Sequence, residues 1–304
     1  MTIKKILNDN DFCDVEYDEM EFEVLSDDGW YDYLHYIGDG SKPIHNPKGN
    51  TSCYRMFDGF EGEHLDFSEF NTENITDMSL MFSNCEGLVD LDLSGFYTGN
   101  VKDMSFMFNN CSSIEKLDLS NFDTSEVMFM INMFSNCGRL KTLNLSNFNM
   151  GNVRDVSNMF MHCFSLTKNP LKNVDMHSIE NMEYMYYGCI SLKSFNMNTF
   201  DNLCNVSSMR SMFENCFNLR SFICTKGILS KLYNVSFMFC GCTNISNIEI
   251  ILYNYKNADT EGMFDKSKLN DVIDNMVYLH NNGIKVKFNI DTNDDFMKII
   301  FSVK

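Results

Sequence analysis

Apolar residues recur along this chain in a fixed order. In one stretch they are Val101, Met104, Met107, Phe108, Cys111, Ile114, Leu117, Leu119 and Phe122. From Val101 to Cys111 the spacings of three and four are those of one face of a helix or of helical turns. Leu117-Asp118-Leu119 then alternates apolar and polar, as a half-buried strand does. The pattern predicts a unit of one short helical segment followed by one short strand.

The unit repeats. Its Met-Phe pair stands at Met56-Phe57, Met81-Phe82, Met107-Phe108, Met133-Phe134, Met159-Phe160, Met185-Tyr186, Met212-Phe213, Met238-Phe239 and Met263-Phe264. Seven copies carry Cys four residues after Met: Cys85, Cys111, Cys137, Cys163, Cys189, Cys216 and Cys242. Phe60 and Ser267 hold that place in the first and last copies. A step held at about 26 residues over so many copies is the signature of a solenoid. The expected fold class is therefore an α/β repeat solenoid. Its coils are leucine-rich-repeat-like, each a short helix plus a short parallel strand. An acidic cap at 1–49, repeats over 50–264 and a helix/strand cap at 265–304 complete the expected organisation.

The strand half recurs as Leu88, Leu91, Leu93, then Ile114, Leu117, Leu119, then Leu140, Leu143, Leu145, with weaker versions near Phe195, Phe222 and Ile248. In the fifth coil Asn169-Pro170-Leu171 replaces it, and proline removes a ladder donor, so pairing should weaken there. The run Met-Phe-x-x-Cys-x-x-Leu-x-x-Leu-Asp-Leu-Ser-x-Phe-Asp-Thr, nearly complete from Met107 to Thr124, resembles the BspA-like leucine-rich repeats of bacterial surface proteins. That resemblance spans about residues 50–264. It implies a solenoid and non-catalytic binding to proteins, often host or cell-surface molecules.

Charge narrows the partners. The net charge is −18, which disfavours direct contact with nucleic-acid phosphate or an anionic membrane and favours a basic protein surface. Between Asp9 and Asp32 there is no Lys or Arg among many acids, including Asp14, Glu16, Asp18, Glu19, Glu21 and Glu23. This segment reads as the cap that closes the open apolar end of a solenoid. Its acidic face is also a candidate docking surface. At the other end, Leu269, Val272, Ile273, Met276 and Val277 fall at helical spacing, while Ile284, Val286, Phe288 and Ile290 alternate like a strand. The residues from Asp294 to Val303 read as a short helix or a last strand.

Residues flanking the inward strand leucines should point outward. They give the candidate protein-binding positions Asp66, Asp90, Asp92, Lys116, Asp118, Asn144 and Asn196. Stacked like charges repel, so an Asp column is not the most stable choice for a bare scaffold. The Cys and Asn columns read as packing and turn residues. No catalytic, cofactor or metal motif is recognised: the histidines are scattered, and phosphate-loop and nucleophile-elbow patterns are missing. With no signal peptide or membrane span recognised, the expected location is cytoplasmic with reduced thiols. The expected function is a non-catalytic protein-binding scaffold using its strand face. An acidic nucleic-acid-mimicking inhibitor of a basic protein such as a nuclease, and a cell-surface adhesin, are the alternatives.

Overall fold

The computed structural model describes residues 39–41, 43–45, 49–171, 174–225, 229–249 and 259–265, and the backbone of 250–253, 285–290 and 296–302. The acidic candidates Asp14, Glu16, Asp18, Glu19, Glu21 and Glu23 lie outside the described residues, as does the helical spacing over 269–277.

The helical half of the expected α/β coil is wrong. Among the described residues the only helical element is one 3-10 turn, Met197–Thr199. Each Met-Phe segment is instead a run of tight turns in which successive N–H groups alternate between two uses. The N–H groups of Met104, Phe106, Phe108 and Asn110 donate to Phe129, Ile131, Met133 and Ser135 of the next coil at 2.8–3.0 Å. Those of Met107, Asn109 and Cys111 turn back to the carbonyls of Met104, Phe106 and Phe108 in their own coil. A helix would spend every N–H internally and leave none to join the coils.

This backbone requires left-handed residues at two places per turn run, one before Met and three after it. Phe106 has φ 59° and Asn110 φ 60°, and the pattern recurs at Leu80 and Asn84 and at Asn132 and Asn136. Each such residue costs about 1–2 kcal/mol when it is not Gly. Four bonds to the next coil, each worth about 1 kcal/mol net, offset that cost. The position after Met is accordingly held by Asn84, Asn110, Asn136, His162, Gly188, Asn215 and Gly241, mostly types that tolerate positive φ. Gly241 is doubly constrained, because a Cβ there would sit 2.4 Å from Asn215 Oδ1.

Stacking fills the core. The rings of Phe57, Phe82, Phe108, Phe134, Phe160, Tyr186, Phe213, Phe239 and Phe264 form one column with neighbouring centroids 5.2–5.9 Å apart. Across the core they meet the strand side edge-on, as in Phe213 against Phe222 at 5.4 Å. Each Cys thiol donates to the carbonyl of the ring residue one coil earlier, for example Cys111 to Phe82 at 3.0 Å and Cys163 to Phe134 at 3.2 Å. Burial pushes the thiols of Cys111, Cys163, Cys189, Cys216 and Cys242 up and that of Cys137 to about 12, so these are inert donors rather than nucleophiles. Buried Thr72, Thr98 and Thr124 clamp coils together: each hydroxyl donates to and accepts from one backbone residue of the next coil, at 2.7–2.9 Å.

Among the described residues the strand face holds two sheets. β1 (Lys116–Asp118) and β2 (Thr142–Asn144) pair in parallel. β3 (Ser194–Asn196), β4 (Ser221–Cys224) and β5 (Asn247–Tyr253) follow in parallel. The gap between β2 and β3 falls at the coil of Asn169-Pro170-Leu171. There Asn169 occupies the place that Leu117 and Phe195 hold in other coils. Its Oδ1 accepts from the Tyr186 hydroxyl at 2.7 Å and from the Leu171 N–H at 3.0 Å. Its buried amide nitrogen has no partner among the described residues. β6 (Lys285–Ile290) and β7 (Phe296–Ser302) form an antiparallel hairpin, and β7 pairs antiparallel along the full length of β5. A second parallel ladder of single bridges joins Ser52, Asp77, Asp103, Phe129, Asp155, Asn181, Ser208, Asn234 and Asp259.

Candidate protein-binding surfaces

The strand-face candidates divide by coil. Lys116 and Asp118 are exposed in β1, and Asp118 is in register with half-buried Asn144 of β2. Asp90 and Asp92 are exposed and Asp66 half-buried in the preceding coils, outside the named strands. Asn196 is exposed in β3, in the other sheet beyond the Pro170 gap. Asp66 to Asn144 therefore follow one another on successive coils, and Asn196 stands apart.

These side chains also have structural work. Oδ1 of Asp66, Asp92 and Asp118 accepts the N–H of Ser68, Ser94 and Ser120, two residues on, at 2.9–3.0 Å. Asn144 and Asn196 make the same bond to Ser146 and Asn198 at 3.2 and 3.0 Å. Each closes an Asx turn, and those of Asp118, Asn144 and Asn196 end β1, β2 and β3. Donation from that backbone N–H, helped by the serine hydroxyl, holds all three Asp carboxyls below the usual carboxylate range. The column is thus Asp or Asn because either supplies the acceptor oxygen, and the charge is an addition that the turn does not need. A second Asx column runs along the bridge ladder, where Asp77, Asp103, Asp155, Asn181, Asn234 and Asp259 accept from residues two on at 2.8–3.0 Å. Its recurring Asp-x-Ser spacing was available in the sequence.

Sequence reasoning missed a groove on the turn face. Met161, Tyr184, Tyr187, Arg210, Ser211, Glu214 and Phe237 line a space of 420 Å³ spread over four coils. Arg210 is held firmly: its guanidinium lies 5.2 Å from the Phe237 ring centroid, Nε donates to the Tyr184 hydroxyl and a terminal nitrogen to the Ser236 hydroxyl, both at 3.2 Å. Tyr187 packs edge-on to His162 at 5.3 Å, and its hydroxyl accepts from Asn215 at 3.1 Å. The groove thus combines aromatic walls, a fixed cation and a carboxylate.

A family model described as "Mycoplasma protein of unknown function, DUF285" matches residues 51–170, 132–249 and 159–276. Together these overlapping matches span 51–276, well over half of the chain. The chain belongs to the DUF285 family. The matched region takes in all the turn runs described above. Among solved structures, the crystal structure of a T. pallidum leucine-rich repeat protein matches at 19% identity with a TM-score of 0.35. That match covers 49% of this chain and 62% of the other, and it carries no argument about fold or role. No curated protein matches. The DUF285 assignment fits a leucine-rich-like repeat protein and leaves its partner open.

Proposed function

We propose that this DUF285 chain is a non-catalytic protein-binding scaffold of the BspA-like kind, whose strand face receives a partner with a basic surface. One observation carries the reading: the exposed Asp92 and Asp118 stand on neighbouring coils, each held in place by its Asx turn. Rigid side chains at regular rise lose little conformational freedom on binding, which lowers the cost of association. The net charge of −18 speeds encounter with a basic partner.

The test is capture from native cell extract on the immobilised full chain, with identification by mass spectrometry. The triple variant Asp66→Asn, Asp92→Asn, Asp118→Asn is run in parallel. Asn keeps the Asx turns, as Asn144 and Asn196 do, so folding is preserved and only charge is removed. Recovery of a basic partner should fall about tenfold in the variant. Unchanged recovery removes the strand face as the site. A nucleic-acid mimic would instead yield a nucleic-acid-binding protein that free DNA displaces.

A further inference from the structure

We propose that the turn-face groove over the fifth to eighth coils docks an extended segment of a partner protein carrying a lysine or arginine among apolar residues. The proposal rests on the scaffold reading but uses a different face.

The departure from the repeat is local. Two residues after Met, earlier coils carry the polar Ser83, Asn109 and Ser135, whereas the fifth and sixth carry Met161 and Tyr187. Five residues after Met, earlier coils carry Glu86, Ser112 and Gly138, whereas the fifth to seventh carry Phe164, Ile190 and Phe217. Phe164 and Phe217 are each 44% exposed. The His162 ring links the two columns, 5.4 Å from Phe164 and 5.3 Å from Tyr187. Nothing in the coil geometry calls for this change, because polar residues serve the same positions elsewhere. Exposed and half-buried aromatic and aliphatic side chains gathered in this way mark contact surfaces, and Tyr and Arg are the types that dominate binding energy.

Charge selects the occupant. The one cation lining the groove, Arg210, is already engaged by two hydroxyls and a ring. Glu214 lines the groove with no hydrogen bond or ion pair to its carboxylate among the described residues. Glu183, Glu261 and Asp265 stand on the same turn columns in the sixth and ninth coils. A partner ammonium or guanidinium set over Tyr184 or Tyr187 would gain the ring face and the Glu214 carboxylate together. An apolar neighbour in the segment would cover Phe164, Ile190 and Phe217.

Labelled synthetic peptides test this by fluorescence anisotropy on the full chain at physiological salt. One alternates Lys and Leu, one Lys and Ser, and one Glu and Leu. The Lys-Leu peptide should bind best. Glu214→Gln and Tyr187→Ala should each weaken it about tenfold, while Tyr187→Phe, which keeps the ring, changes it little. Thermal unfolding checks that the variants remain folded. Equal binding of the Lys-Ser peptide, equal binding of the Glu-Leu peptide, indifference to Glu214→Gln, or no binding at all would each overturn the proposal. Loss of Lys-Leu binding in the strand-face triple variant, with Glu214→Gln neutral, would also overturn it, yet leave the scaffold reading standing on the strand face.

Discussion

At the scale of single residues, the Asp column shows how one side chain serves a turn and a surface at once. Asp66, Asp92 and Asp118 each close an Asx turn with one oxygen. Their pKa values are lowered in the fold. A depressed carboxyl contributes stability above its unfolded value of about 3.9, and that contribution fades as pH falls through the lower folded value. Thermal unfolding of the wild type should therefore show an acid limb beginning below about pH 4. Replacing all three by Asn should flatten that limb and lower the transition at pH 7 by about what the wild type loses on acidification, because Asn keeps the acceptor without the charge and does not titrate. A loss at pH 7 well beyond the wild type's acid limb would mean that Asn does not rebuild the turn. The signal was partly legible: Asp-x-Ser and Asn-x-Ser at the same place in successive coils is Asx-turn spacing. The left-handed column was half legible too. Asn84, Asn110, Gly188 and Gly241 announce positive φ, but Leu80 and Phe106 also adopt it, and no residue-level rule would place them there.

At the scale of the element, period and core were readable and the helix was not. Val101, Met104, Met107, Phe108, Cys111, Ile114, Leu117, Leu119 and Phe122 are all buried, so the inward face was correctly assigned from spacing alone. Tight turns that close every second or third residue bring the same positions inward as a helix does, and only the destination of the N–H groups separates the two. That destination lies in the next coil, some 26 residues away, where local pattern carries no information. The groove was illegible for a related reason. Its walls come from four coils, and each contributing residue looks like an ordinary repeat variation until the columns are stacked. The Asn169–Tyr186 pair was visible only as two separate exceptions, an Asn at a strand position and a Tyr in the Phe column. The structure joins them through one hydrogen bond. Tyr186→Phe should cost about 1 kcal/mol, since Asn169 Oδ1 keeps the Leu171 N–H. Asn169→Leu alone should cost about 1–3 kcal/mol by leaving the buried hydroxyl unpaired. The double variant restores the repeat at both places and should be at least as stable as the wild type. Chemical denaturation of all four proteins measures this as a favourable coupling energy; additive losses would show that the pair is not a unit.

At the scale of the whole molecule, a stack of coils must end somewhere, and its last strand is an open edge. β5 would present seven residues of unpaired backbone on one side if β7 did not pair along all of it. An exposed strand of that length is a template for a second copy. Two effects then compete in a chain ended before Lys285. Backbone pairing between exposed β5 edges favours association, and a strongly negative net charge opposes it. Charge repulsion is screened over about 3 Å at 1 M salt, whereas hydrogen bonding at a strand edge is not. The truncated chain should therefore be largely monomeric at low salt and associate as salt rises, while the full chain stays unchanged over the same range. Light scattering across a salt series reads this directly. A truncated chain that stays monomeric at high salt, with its ring column intact by near-ultraviolet circular dichroism, would mean that the hairpin does not guard the edge. Association already complete at low salt would mean that edge pairing outweighs the charge of the whole chain. In the expected intermediate case the hairpin and the acidic surface both act against self-association, and the coils remain free to present their faces to a different protein.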